Sequence, residues 1–213
     1  VHALETVAHL DDGTAGLQTG VAPDAELMVL RVGDTESTAW AAIQYALDHG
    51  ADVIVQGVRV DWSDDPRPDY PGWRDVAVST LQAGVLHVNA AGDKGNKLAQ
   101  NPIPYNVAAP ANCPAPVAHP GQDEGGAPSA VLAVANVSHD NDLVSNRSPR
   151  GPSEWVDIQA EVDPTYPYPM PSAYQDYPYE AGVASGLLKP DLAAYGDGST
   201  STTLGGSYGP FTG

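Results

Sequence analysis

Apolar positions along the chain gather into short continuous runs, and the stretches between them carry helical spacing. Glu26–Val32, Asp52–Val55, Gly84–Asn89 and Ala130–Ala135 are four such runs. Their length and their β-branched or aliphatic content predict strands buried on both faces. Thr35 to His49 places Trp40, Ile43, Ala46 and Leu47 on one helical stripe, with Thr35 or Ser37 as a cap and Gly50 as a stop. Trp73 to Gly84 predicts a second helix through Val76, Val78 and Leu81. A further helix is expected over Val1–Asp12 and a further strand at Trp155–Ile158. The order β-α-β-α-β with short connections calls for a parallel sheet covered by helices.

The remaining segments lack either period. Gln56 to Gly72 is polar, with Asp61, Asp64, Asp65, Asp69 and three prolines, and reads as a solvated surface loop. Ala99 to Gly126 is proline-rich and irregular. A Tyr- and Pro-rich stretch at about 160–181 reads as an extended insertion with polyproline character, and Gly196–Gly213 is rich in Gly, Ser and Thr. The 213 residues suit a single domain with a sizeable core, one that need not be complete.

Charge narrows the partners. With 27 acidic and 9 basic residues the net charge is −18, which argues against nucleic acid. No apolar run approaches the roughly 18 residues of a membrane span. A lysine-poor acidic surface fits an extracellular or cell-surface setting, and fits an ordinary soluble surface equally well. The single Cys113 excludes an internal disulfide, leaving a buried thiol or one half of an external bridge.

The run Gly84–Asn89 breaks abruptly into Ala90-Ala91-Gly92-Asp93-Lys94-Gly95-Asn96. Open α/β sheets bind ligands at such exits, beyond the carboxyl ends of parallel strands. The neighbouring segments give this exit a context. Gly20-Val21-Ala22-Pro23-Asp24-Ala25-Glu26-Leu27, the stretch from Trp40 to Ile54, Pro110-Ala111-Asn112-Cys113-Pro114 with Val131–Val137, Ser145–Pro152, Leu188–Gly196 and Tyr208–Gly213 follow one another in the order of landmarks found in one family. Together they resemble the subtilisin-like serine proteases (subtilases). The resemblance implies a three-layer α/β sandwich with a mostly parallel sheet, peptide or protein ligands, and acyl-transfer chemistry by a Ser–His–Asp set with an Asn at the oxyanion hole.

Carried over residue by residue, that pattern is altered. His2 is the nearest candidate for the catalytic histidine, but Ala3-Leu4-Glu5 follows it in place of the family's Gly-Thr-His. Asp93 stands at the oxyanion position, where the family has Asn. The substrate-binding segment, usually Asn-x-Ser-Leu-Gly, here includes Gly57, Val58 and Arg59; Ala90, Ala91 and Gly92 complete the substrate-binding set. The orienting Asp would precede Val1 and the nucleophilic Ser would follow Gly213. Gly205-Gly206-Ser207-Tyr208-Gly209 fits a nucleophile-elbow pattern but lacks the strand before it and the helix after it. The leading expectation is an inactive or impaired protease-fold domain acting as a scaffold or peptide-binding module, alongside the remaining parts of its own polypeptide. An active secreted endopeptidase is the alternative. A calcium-stabilised structural domain, resting on Asp61, Asp64, Asp65 and Asp197, is a third reading; no other cofactor is implied.

Overall fold

The computed structural model describes residues 22, 24–115, 129–153, 177–180, 184–203 and 207–212. Helix α1 (Glu36–Asp48) forms where the apolar stripe predicted it. Thr35 stands at its N-cap in extended conformation, but its hydroxyl meets Ser37 Oγ and makes no cap bond to the helix backbone. Ala39, Ile43 and Ala46 are the buried positions, Trp40 and Leu47 flank them, and Gly50 leaves the helix with φ +77°.

Strand β1 (Val53–Gln56) leads through a loop to helix α2 (Tyr70–Gln82). The helix begins three residues before the apolar pattern does. Asp69 caps it, accepting a hydrogen bond from the Gly72 N–H at 3.1 Å, and Pro71 sits in the first turn where no donor is needed. Trp73 is fully buried, edge-on to Trp40 at 5.8 Å between ring centroids, and its Nε1–H donates to Glu36 Oε1 at 2.5 Å. Glu36 also accepts from the Asp69 N–H, so one carboxylate joins the starts of both helices.

Next in order are β2 (Leu86–Ala90), β3 (Val131–Ser138), β4 (Tyr177–Glu180), β5 (Ala184–Gly186), β6 (Leu192–Thr203) and β7 (Ser207–Thr212). The main sheet runs β1-β2-β3-β6-β7. Its first four strands are parallel and β7 returns antiparallel to β6, while β4 and β5 form a separate antiparallel pair. The core packs both helices on Val131, Ala109, Leu187 and Cys113. Cys113 is a buried free thiol, and desolvation pushes its pKa up to about 11.

Several expectations need correction. Glu26–Val32 forms no strand: Leu27, Met28, Val29 and Leu30 are exposed and lack ladder partners among the described residues. An apolar run becomes a strand only where a neighbour satisfies its backbone. β1 is not buried on both faces, because among the described residues it is the sheet edge, with Val53 and Val55 about half exposed. β6 and β7 were hidden in a Gly/Ser/Thr composition, although Ser199–Thr203 is rich in strand-favouring Thr. Part of the Tyr/Pro stretch is regular strand, at Tyr177–Glu180. The predicted helix at Val1–Asp12 and strand at Trp155–Ile158 lie outside the described residues.

Candidate functional site

The exits of β1, β2 and β3 meet at the carboxyl end of the parallel sheet. Register pairs Gln56 with Asn89, so Gly57 and Ala90 leave the sheet side by side. Asn89 is buried, and its Nδ2 donates to the carbonyls of Gln56 at 3.0 Å and Val58 at 3.3 Å, which holds the β1 exit against β2. The chain at 108–109 braces both exits: Ala108 N–H donates to Ala91 O, while Val60 and Ala109 exchange backbone hydrogen bonds.

The β2 exit loop is fixed in turn to the loop after β3. Gly95 N–H donates to Arg147 O at 2.8 Å, and a Cβ at Gly95 would lie 2.0 Å from Ser148 O, so only glycine fits this approach. Asn106, buried beside them, donates from Nδ2 to the Lys94 and Asn101 carbonyls and accepts from the Arg150 N–H. The glycine two residues beyond Asp93 thus has a steric reason here.

On this frame sits a charge cluster centred on Asp93. Arg59 Nη2 lies 2.6 Å from Asp93 Oδ1, Lys94 Nζ 3.3 Å from the same oxygen, and Arg147 Nη2 3.2 Å from Oδ2. Asp61 joins from the β1 side, its Oδ2 at 3.6 Å from Arg59 Nε and 3.9 Å from Lys94 Nζ. Partial burial pushes the Asp93 carboxyl up, but attraction and hydrogen bonding from Arg59 and Lys94 outweigh it and hold the group below the usual carboxylate range. Burial dominates at Asp61, whose pKa is raised despite Arg59 and Lys94.

The structure therefore brings together Gly57, Val58, Arg59, Ala90, Gly92 and Asp93. Gly57, Val58 and Ala90 are exposed at the exits, and a Cβ at Gly57 would meet nothing within 4 Å. Ala91 departs from the group: it packs inward with Val107, Ala111 and Ala133. His2 lies outside the described residues. Ser207 opens β7, an edge strand rather than a strand-to-helix elbow. Sequence reasoning missed Asn89 and Arg147. Asn89 read as one more strand position, and Arg147 as a landmark residue, because nothing local reveals the partner 54 positions away at Asp93.

Three of the four acids offered for calcium have partners within the protein. Asp61, expected to be solvated, is buried and paired with Arg59 and Lys94, and Asp64 Oδ2 accepts from the Asp61 N–H. Asp197 Oδ1 accepts from Asn136 Nδ2. Among the described residues no group of three or more His, Cys, Asp or Glu side chains could hold a metal ion.

The subtilase family profile (peptidase S8) matches residues 5–213. The chain belongs to the subtilase family. Among solved structures, the prenylagaramide maturation protease PagA is similar over the whole of this chain and 56% of its own, with 18% identity and a TM-score of 0.55. The PatG macrocyclase in complex with peptide is similar over the whole of this chain and 46% of its own, with 15% identity and a TM-score of 0.57. The chain thus spans about half the length of these subtilase-fold neighbours, and at such identity the likeness speaks to fold alone. No curated protein sequence matches. Among the described residues, no helix of this subtilase domain is long and apolar enough to cross a membrane.

Proposed function

We propose that this subtilase domain is catalytically inactive or strongly impaired and that it serves as a peptide-binding or scaffolding module, in an extracellular or cell-surface setting. One observation carries the reading: the position that should donate to an oxyanion holds a carboxylate ion-paired with Arg59, Lys94 and Arg147. An ionised Asp93 can only accept hydrogen bonds, and its charge opposes the negative charge that develops on a tetrahedral intermediate. Losing the Asn donor alone costs about 3–4 kcal/mol of transition-state stabilisation, a magnitude established for subtilisin, a member of this same family.

Arg59 adds to the departure. Its guanidinium reaches from the substrate-binding segment to the oxyanion position, so it occupies space beside Gly92, where its Cδ lies 3.6 Å from the point a Cβ would take. Binding survives such changes more readily than acyl transfer does. The exposed exits at Gly57–Val58 and Ala90 still offer two adjacent segments of chain to a peptide. The peptide complex of PatG, a neighbour in fold, agrees with a ligand of that class.

The test is active-site labelling of the full-length polypeptide with a serine-directed fluorophosphonate, alongside a peptide-array screen. No covalent labelling of folded protein, with retained peptide capture, is the expected result. Stoichiometric labelling would overturn the proposal in favour of an active endopeptidase whose Asp and Ser are supplied from outside residues 1–213.

A further inference from the structure

We propose that the cationic group around Asp93 makes the β2 exit a carboxylate-binding subsite, so that the peptide taken by this face carries an acidic side chain or a free C-terminal carboxylate. The inference rests on the peptide-binding reading above and specifies its ligand.

Charge distribution is the first support. The chain has 9 basic residues against 27 acidic ones, yet three of the nine, Arg59, Lys94 and Arg147, converge on one carboxylate. They come from the loops after all three neighbouring strands β1, β2 and β3. Asp93 and Asp61 pair with them and Asp64 accepts from the Asp61 N–H, so three cations face three carboxylates and the group is balanced within a chain that is otherwise strongly acidic. A site meant only to neutralise Asp93 needs one cation, and Arg59 at 2.6 Å already supplies it.

Arg147 is the group with capacity to spare. It reaches Asp93 through Nη2 alone, and its side chain is 48% exposed. A guanidinium presents five N–H donors in a planar fork matched to a carboxylate, so a second carboxylate can engage the donors left over. The loop that carries Arg147 is held at its backbone by Gly95 and Asn106, so the guanidinium is presented from a braced segment. The chain, at −18 overall, repels acidic peptides in general, which makes this local concentration of cations a means of choosing position within a peptide.

The experiment is a positional-scanning set of fluorescein-labelled peptides, with Glu or Gln at each position in turn and each made as the C-terminal acid and amide. Binding to the full-length polypeptide is read by anisotropy at low and high salt. The proposal expects one position, or the C-terminus, where the carboxylate form binds about 2- to 5-fold tighter at low salt, with the preference shrinking as salt rises. Arg147→Gln should abolish that preference, and Arg147→Lys should keep part of it, with both variants checked by circular dichroism for folding. Preference at an internal Glu identifies a side-chain ligand, whereas preference for acid over amide identifies a C-terminus. Peptides that bind equally well in charged and neutral forms would overturn this inference and leave the peptide-binding reading standing. No binding by any peptide would overturn both.

Discussion

Arg59 Nη2 and Asp93 Oδ1 stand 2.6 Å apart, joining two residues that the sequence resemblance assigns to the family's substrate-binding and oxyanion motifs. On that assignment the two changes are one arrangement: a carboxylate at the proposed oxyanion position, and a guanidinium reaching across to meet it. Restoring the amide with Asp93→Asn leaves Arg59, Lys94 and Arg147 crowded around a neutral group. Hydrolysis of a fluorogenic peptide or of casein by the full-length polypeptide is expected to stay at the wild-type level. A large gain from that single substitution would show that Asp93 alone silences the site.

The same pair should register as coupling in stability. Arg59 and Asp93 side chains are 27% and 30% exposed, so solvent screens part of the attraction. A double-mutant cycle with Arg59→Met and Asp93→Asn is expected to give a coupling of about 0.5–1.5 kcal/mol by urea unfolding, falling in high salt. Asp93 is held below its ordinary pKa, so its contribution is present above the unfolded carboxylate range and is lost as pH drops through the folded value. A coupling that ignores salt would mean that packing of the Arg59 stem, rather than charge, links the two.

His87 makes an opposite demand. It is fully buried in β2, with Nε2 3.0 Å from Gln56 Oε1 and no hydrogen-bond partner at Nδ1, and desolvation lowers its pKa to about 4. A base with a depressed folded pKa keeps its full stability above the unfolded value near 6.5. It loses stability as pH falls between there and about 4, by about 3 kcal/mol at the limit. Unfolding wild type and His87→Gln at pH 7.5, 6, 5 and 4 isolates this contribution, since other groups cancel in the difference. The wild type should lose stability more steeply; parallel curves would show that the imidazole is protonated in place.

The helices and the inner strands β2 and β3 were legible because their apolar pattern is local. Ile43 and Ala46 follow from spacing alone, and the Leu188–Gly196 landmark acquires a physical reason in the structure. Its Lys189 is buried, donates to Val131 O and pairs with Asp191 at 2.6 Å, while Asp191 accepts from the Ala133 N–H, so the motif fastens the start of β6 to β3. Edge status is not written locally. Val53 and Val55 read as a buried strand because their exposure depends on which strand lies beside them. The charge cluster was half legible for a related reason. Lys94 adjoins Asp93 in sequence, whereas Arg59 and Arg147 reach it only through the parallel register that aligns three strand exits.

Gly95 and Gly57 provide the sharpest test of that convergence. Both lie in strand-exit loops of the candidate site, and neither has the left-handed backbone that by itself would exclude a side chain. They differ in surroundings. A Cβ at Gly95 would overlap Ser148 O at 2.0 Å and Arg147 O at 2.9 Å, both backbone atoms that cannot rotate away, whereas at Gly57 it would meet open space. Gly95→Ala should therefore push the β2 exit away from the loop after β3, break the Gly95 N–H to Arg147 O bond, and cost about 1–3 kcal/mol. It should also displace Arg147 from Asp93 and so weaken any carboxylate preference. Gly57→Ala should change stability by no more than about 0.5 kcal/mol. Urea midpoints of the two variants decide the matter: equal midpoints would mean that the exits are not held together as this geometry requires.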